Sequence, residues 1–256
     1  MKDDRTAMLP DMVVLCGGRG QRLGPLTATV PKPLLPVGGN PFLLRLLLQW
    51  KAEGVRRFVL AVHHLAEQFH EFAQRYEGMV GKMAIAVEES ALGTGGGLKN
   101  AAAWVETPTF FTANGDSYVS QTLSPVFNVH EERKLPTTLV AIPPHHVLGG
   151  AHQKGRLLVN ADAKLTSFST EANVQDGLVN AGLYVMDRSE MERWPDGRYD
   201  LERAILPNRN DSTVSVFKSS GQLLDIGTPR SYLAARDGLG PVENLFSELD
   251  KLKITA

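Results

Sequence analysis

A chain of 256 residues, 43% hydrophobic and 21% charged, is long enough to bury a large core and is expected to form one compact domain. Its 27 Lys and Arg nearly balance 28 Asp and Glu, and the net charge of -1 speaks against a nucleic acid or an anionic membrane as partner. The single cysteine, Cys16, excludes an internal disulfide, and with no signal-peptide core and no run of about 18 apolar residues the expectation is a cytoplasmic protein.

The stretch Val13 to Val37, VVLCGGRGQRLGPLTATVPKPLLPV, opens as a short apolar strand and breaks into a loop. Gly17, Gly18, Gly20 and Gly24 let backbone N–H groups approach an anion, and Arg19, Arg22 and Lys32 supply the charge to neutralise several phosphates at once. A triphosphate is the expected guest. The dinucleotide fingerprint is excluded because its third glycine would fall at Leu23, and the Gly-Lys-Ser/Thr of the Walker loop is absent.

Asn40 and Pro41 then read as the cap and first turn of a Leu-rich helix that stops at Gly54. Arg56 to Val62 is predicted as a buried strand, LAEQFHEFAQRY as an amphipathic helix closed by Gly78, and KMAIAVE as the next strand. A second glycine-rich turn at Gly93 opens the helix GGGLKNAAAWV, followed by the strand FFTANGD, a helix over Leu123 to Arg133 and the strand TTLVAIP. This βαβ alternation predicts an α/β, mainly parallel sheet with ligands outside the carboxyl ends of its strands. Beyond Pro143 the pattern changes to strands with little helix between them (RLLVN, KLTSF, LVNAGLYVMD), which suggests antiparallel additions flooring a second pocket. LERAIL reads as a short helix, STVSVFK as a strand and TPRSYLAAR as a terminal helix.

Asp116 ends one strand and Asp225 precedes a helix start in LLDIGTP. Hard carboxylate oxygens on separate strand ends are suited to clamping Mg²⁺ onto substrate phosphates. Before the second glycine turn stand Glu88 and Glu89, of which only one can face a ligand because successive strand residues point to opposite sides. A glutamate there would accept from guanine N1–H and N2–H₂, whereas the carbonyl acceptors of uracil would be repelled. The turn's own glycines, with Gly93 and Thr94 at its start, would let backbone approach a base or ribose. His63-His64 and His145-His146 lack zinc-ligand spacing, and Cys16 reads as packing rather than a nucleophile.

GGRGQRL with PKPLLPVGG, then ALGTGGGLKNA, NGD, VNAGLY and DIGTP resemble, in this order, the sugar-1-phosphate nucleotidyltransferases, over about residues 12–235. The pairing of GTGGGLK with VNAGLYVMD and the lack of a C-terminal β-helix look most like the D-glycero-D-manno-heptose 1-phosphate guanylyltransferases, with N-acetylmuramate and mannose 1-phosphate enzymes close by. The resemblance implies a Rossmann-like, glycosyltransferase-A-like fold, with a nucleotide-binding part over about residues 12–143 and a sugar-binding part over about 144–240. It also implies an NTP and a sugar 1-phosphate as substrates, with self-association left open. By motif, Arg22 corresponds to the family's catalytic arginine, Lys32 to its phosphate-binding lysine, and Asp116 and Asp225 to its Mg²⁺ ligands; Asp116 is thereby also counted in the catalytic set. Leu15 and Gly17 would contact the base, with Gly18, Gly20, Glu88, Gly93 and Thr94 completing the nucleotide site. Asn114, Gly115, Asn180, Gly182 and Glu171 would bind the sugar phosphate. One motif departs: many relatives have Glu-Lys after Ser-Phe, whereas here Ser167-Phe168 runs into Ser169-Thr170-Glu171, and the family's second phosphate-binding lysine has no counterpart. The reading from another class, a catalytically silent nucleotide-sugar sensor, would tolerate loss of Arg22 or an aspartate, and all are present.

Overall fold

The computed structural model of the chain describes residues 8–148, 155–169, 177–202 and 213–237. After β1 (Met12–Leu15) the glycine loop winds through a 3-10 segment (Gln21–Thr27) and a turn (Lys32–Leu34) into a two-residue ladder, β2 (Pro36–Val37) with β3 (Asn40–Pro41). Then α1 (Phe42–Ala52), β4 (Arg57–Val62), α2 (Ala66–Val80), β5 (Lys82–Val87), α3 (Gly93–Ala102) and β6 (Thr109–Asn114) alternate. They are followed by β7 (Ser117–Val119), α4 (Leu123–Arg133), β8 (Thr137–Ile142) and β9 (Val147–Leu148). The last elements are β10 (Arg156–Val159), β11 (Leu165–Ser169), β12 (Leu178–Asp187), β13 (Val214–Lys218), β14 (Leu223–Asp225) and α5 (Pro229–Arg236).

Strands β5, β4, β1 and β6 lie side by side and parallel. β12 joins β6 antiparallel and carries β8 on its other edge, which is parallel to β13; the β10–β11 hairpin extends the first half of β12. Alternation along the strands divides the core. Met12, Val14, Phe58, Leu60 and Val62 face the side covered by α1 and α2, and Val13, Val59 and Ala61 face α3. All eight are at most 1% exposed, and each large side chain of this kind contributes about 1.5–3 kcal/mol on burial.

The Leu-rich helix α1 hides one charge. Arg45 is 2% exposed, and its Nε donates to the Val37 carbonyl at 2.8 Å and its Nη2 to the Gly38 carbonyl at 3.0 Å. A Cβ on Gly38, at φ +57, would collide with the guanidinium. The PVGG turn is therefore moulded around a buried arginine whose charge its carbonyls satisfy. The α5 residue Tyr232 donates to the Pro36 carbonyl at 3.1 Å from the opposite side.

Three local expectations are corrected. Asn40 does not cap α1: it pairs with Val37 in the ladder, and the position before the helix is Pro41, which has no side-chain cap. Gly78 does not end α2, which runs on to Val80 and closes at Gly81, where φ is +120 and a Cβ would strike the Arg56 carbonyl. The second glycine-rich stretch is not a turn before a helix but the opening turns of α3, which starts at Gly93. Most of LERAIL lies outside the described residues.

Candidate active site

A cleft of about 700 Å³ opens at the carboxyl ends of the parallel strands. Of the residues expected there, Leu15, Gly17, Gly18, Gly20, Arg22 and Lys32 line it from the first loop, and Glu88, Gly93, Thr94, Asn114 and Asp116 from the later strand ends. Gly18 faces open space, since a Cβ there would meet nothing within 4 Å.

At one end, Lys32 Nζ makes a close ion pair with Asp116 Oδ2. Burial alone would lower the Lys32 pKa, but Asp116 and then Asp225 outweigh it and hold the ammonium above its ordinary range, against an opposing push from Arg22. Strand pairing delivers Asp225: β14 sets it opposite Ser117, and the Ile226 N–H donates to the Asp116 carbonyl at 3.0 Å. Asp225 Oδ1 accepts the Gly227 N–H. Gly227 is where Arg22 comes in, because a Cβ there would lie 2.9 Å from Arg22 Nη2 and would also strike the Asp225 carboxylate. Directly after it, Thr228 and Ser231 form a reciprocal capping box that fixes the start of α5. Two cations and two carboxylates thus gather at this end of the cleft, with Arg22 and Asp225 in contact range of Gly227, where any Cβ would have to displace them. Beside them Cys16 is buried, and burial, then the Asp116 charge, push its thiol well above the usual range.

At the other end stands Glu88, 8% exposed, while Glu89 is exposed to solvent. Glu88 Oε2 accepts the Leu92 N–H at 2.9 Å, and a Cβ on Gly17 would come within 3.0 Å of its Oε1. Burial raises the Glu88 pKa, with the Leu92 N–H and His63 pulling the other way. His63 Nδ1 lies 3.1 Å from the Glu88 carbonyl oxygen.

The glycines of α3 serve a different end from the one expected. A Cβ on Gly95 would run into the Tyr199 ring, one on Gly96 into the Gly197 carbonyl, and one on Gly93 to 2.5 Å from the Tyr199 carbonyl. What approaches closely is the chain's own segment 197–202. The Tyr199 N–H donates to the Leu92 carbonyl at 2.9 Å, and the Gly95 N–H donates back to the Tyr199 carbonyl at 3.0 Å. Thr94 Oγ1 accepts the Leu201 N–H at 2.9 Å and donates to Glu202 Oε2 at 2.9 Å. This strap brings Arg198, Asp200 and Glu202 to the cleft wall. Nothing local in WPDGRYDLE marks it as cleft-lining; the sequence signal was the glycine at Gly93, Gly95 and Gly96, whose space the strap occupies.

The residues assigned to the sugar phosphate are arranged in layers. Asn114 lines the cleft, whereas Gly115 packs behind it: its N–H donates to the Leu15 carbonyl at 3.0 Å, and a Cβ would be 2.8 Å from Cys16 Sγ. Gly182, at φ +71 beside a register shift in β12, abuts the Asn114 side chain. Asn180 is buried, accepts the Gly182 N–H at 2.9 Å and donates to the Tyr184 hydroxyl. β10, β11 and β12, expected to floor a second pocket, contribute no described residue to this cleft; β12 stands behind Asn114. Asp225 sits one layer behind the cleft wall at Gly227, and Glu171 lies outside the described residues.

Residues 11–240 match the family model described as nucleotidyl transferase. A mannose-1-phosphate guanylyltransferase from Mycobacterium tuberculosis is 30% identical over 229 residues, which cover 87% of this chain and 62% of the relative. The chain therefore spans less than two thirds of that protein's length. A D-glycero-alpha-D-manno-heptose 1-phosphate guanylyltransferase from Campylobacter jejuni is 25% identical over 222 residues, covering 86% of this chain and 96% of the relative. Among solved structures, HddC from Yersinia pseudotuberculosis superposes with a TM-score of 0.77 at 25% identity over 91% of this chain and 100% of its own, and so does HddC complexed with GMP-PN. With a mixed, mainly parallel sheet, a glycine loop after its first strand and a family match over most of its length, the chain belongs to the nucleotidyl transferase family.

Proposed function

We propose that this protein transfers a nucleotidyl group from GTP to D-glycero-D-manno-heptose 1-phosphate, releasing pyrophosphate. The observation that carries the reading is the clustering of Arg22, Lys32, Asp116 and Asp225 at one end of the cleft, with Glu88 at the other. A phosphate oxygen of the sugar 1-phosphate attacks the α-phosphorus in line, and the bond from that phosphorus to the oxygen bridging to the β-phosphorus breaks. No enzyme nucleophile is needed, in keeping with a Cys16 thiol held protonated by burial. Lys32 and Arg22 neutralise charge on the phosphates, the open backbone of Gly18 lets its amide approach them, and Asn114 and Gly115, backed by Asn180 and Gly182, bound the acceptor side.

The donor set fits Mg²⁺. Among the described residues no three His, Cys, Asp or Glu side chains form a metal site of their own, but Mg²⁺ takes one or two carboxylates and completes its shell with phosphate oxygens and water. Asp116 and Asp225, brought together by β14, would supply those carboxylates, and the ion when bound would offset phosphate charge. The cation-bearing face of Asp116 is already the seat of the Lys32 ammonium.

For the base, Glu88 supports guanine: Leu92 occupies one carboxylate oxygen, Oε2, and the other, Oε1, lies over Gly17. For the sugar, the support is the likeness to D-glycero-alpha-D-manno-heptose 1-phosphate guanylyltransferases from Campylobacter jejuni and Aneurinibacillus thermoaerophilus, each 25% identical. Mannose 1-phosphate, or UTP with N-acetylmuramate 1-phosphate, are the competing pairs. Incubation of each NTP with each sugar 1-phosphate, followed by chromatography of the sugar nucleotides, tests the assignment. GDP-heptose is the expected main product; a preference for UTP or dTTP with every sugar would overturn the guanylyl assignment alone.

A further inference from the structure

The glycine loop is held shut by a side chain that the transfer itself does not use. Thr27, 4% exposed, ends the segment Gln21–Thr27. Its hydroxyl lies 3.1 Å from the Gly20 carbonyl oxygen and 3.3 Å from that of Gly24. One proton shared between two acceptors is a three-centre bond, and it joins the two ends of the stretch that carries Gln21, Arg22 and Leu23.

Both ends are pivots. Gly20 sits at φ +62, and Gly24 at φ +57 with ψ -127, a backbone region essentially restricted to glycine. The Thr27 methyl is engaged as well, since a Cβ on Gly20 would fall 2.8 Å from its Cγ2. Leu23, 2% exposed, anchors the middle of the stretch from below, and its N–H donates to the same Gly20 carbonyl at 2.9 Å. Gln21 and Arg22 are exposed and line the cleft, and Arg22 reaches Gly227.

A guanidinium stabilises a developing charge only when it is held to within a fraction of an ångström, and two glycine pivots on their own do not hold it. We propose that Thr27 is a positioning residue: its hydroxyl bridges the carbonyls of Gly20 and Gly24 and so fixes Arg22 at the Asp225 side of the cleft without touching substrate. The kinetic part of this inference rests on the proposed transfer reaction; the loop part does not.

Thr27→Val keeps the shape and removes the hydroxyl, Thr27→Ser keeps the hydroxyl and removes the methyl, and Thr27→Ala guards against misfolding of the valine variant. Two readouts are taken on the full chain, with melting curves confirming that each variant is folded. In pyrophosphate release, Thr27→Val and Thr27→Ala should lower kcat about tenfold or more with the KM for sugar 1-phosphate unchanged, and Thr27→Ser should stay close to wild type. In limited trypsin digestion, cleavage after Arg19 and Arg22 should speed up in Thr27→Val and Thr27→Ala and return to the wild-type rate in Thr27→Ser. Wild-type digestion rates in folded Thr27→Val and Thr27→Ala, or a serine variant as impaired as the valine one, would overturn the inference. If wild-type protein forms no pyrophosphate at all, the transfer reading fails, and the digestion pattern still decides the role of Thr27 in the loop.

Discussion

At the Arg22 end of the cleft, charged groups on three separate segments are turned toward one another around an open glycine backbone, whereas at the Glu88 end the glycine-rich start of α3 is filled by the chain's own strap. Both ends are rich in glycine, and the same residue does opposite work. Gly18 leaves a space that a ligand can enter; Gly95, Gly96 and Gly97 leave space that Tyr199, Gly197 and Glu88 already occupy. A glycine count therefore locates close approach and says nothing about what approaches.

The largest expected effects come from breaking the charged end. Asp225→Asn and Arg22→Ala should each lower turnover on the order of 10²-fold or more, with melting temperature close to wild type, because in the proposed reaction each removes a group acting on the transition-state phosphates. Pyrophosphate release on variants confirmed folded checks this. Next, Glu88→Gln should narrow the preference for GTP over UTP, which is expected to be about 10 to 100-fold in the wild type, since the amide restores a donor opposite a uracil carbonyl. Competition between the two nucleotides reads it out.

A pair of glycine substitutions sharpens the contrast in stability. Gly95→Ala sets a methyl against the Tyr199 ring and should destabilise by about 1–3 kcal/mol, a fall of several degrees in Tm. Gly18→Ala meets nothing and should stay within about 0.5 kcal/mol of wild type while still impairing turnover. Equal melting temperatures for the two variants would contradict the assignment of the α3 glycines to the strap.

The smallest effect is on pH. Burial holds the Glu88 pKa above that of an unfolded glutamate, so the folded state binds this proton more tightly. Its contribution to stability is therefore present in acid, below the unfolded value, and is lost as pH rises through the folded one. The proposed guanine recognition needs the carboxylate and should run the opposite way, strengthening over the same rise. Both trends should be absent in Glu88→Gln, as measured by Tm and by the GTP to UTP ratio across acid pH.

Much of this molecule was legible from its sequence, for reasons that differ by region. The parallel strands could be read because a strand buried on both faces is a continuous apolar run, as in FVLAV, and the place of the first loop in the cleft because glycines and cations stand close together in sequence directly after a strand. Asp116 and Asp225 stood at strand ends, where polar residues have no core role. The strap escaped because its contacts with α3 span more than 100 residues, as in the Thr94 to Glu202 hydrogen bond. Arg45 escaped because a lone cation in FLLRLLL gives no local sign of burial, and the carbonyls of the PVGG turn that accept from it are brought in by the folding of that turn back on the helix. Helix ends were misread at Asn40 and Gly78 because residue type alone does not say which candidate cap the tertiary packing selects.

The most direct measurement follows both products of the wild-type protein with GTP, Mg²⁺ and heptose 1-phosphate. The account predicts pyrophosphate and sugar nucleotide in equal amounts, each requiring the sugar 1-phosphate. Pyrophosphate released without an acceptor, or binding of the nucleotide with no product from any NTP and sugar 1-phosphate pair, would contradict it.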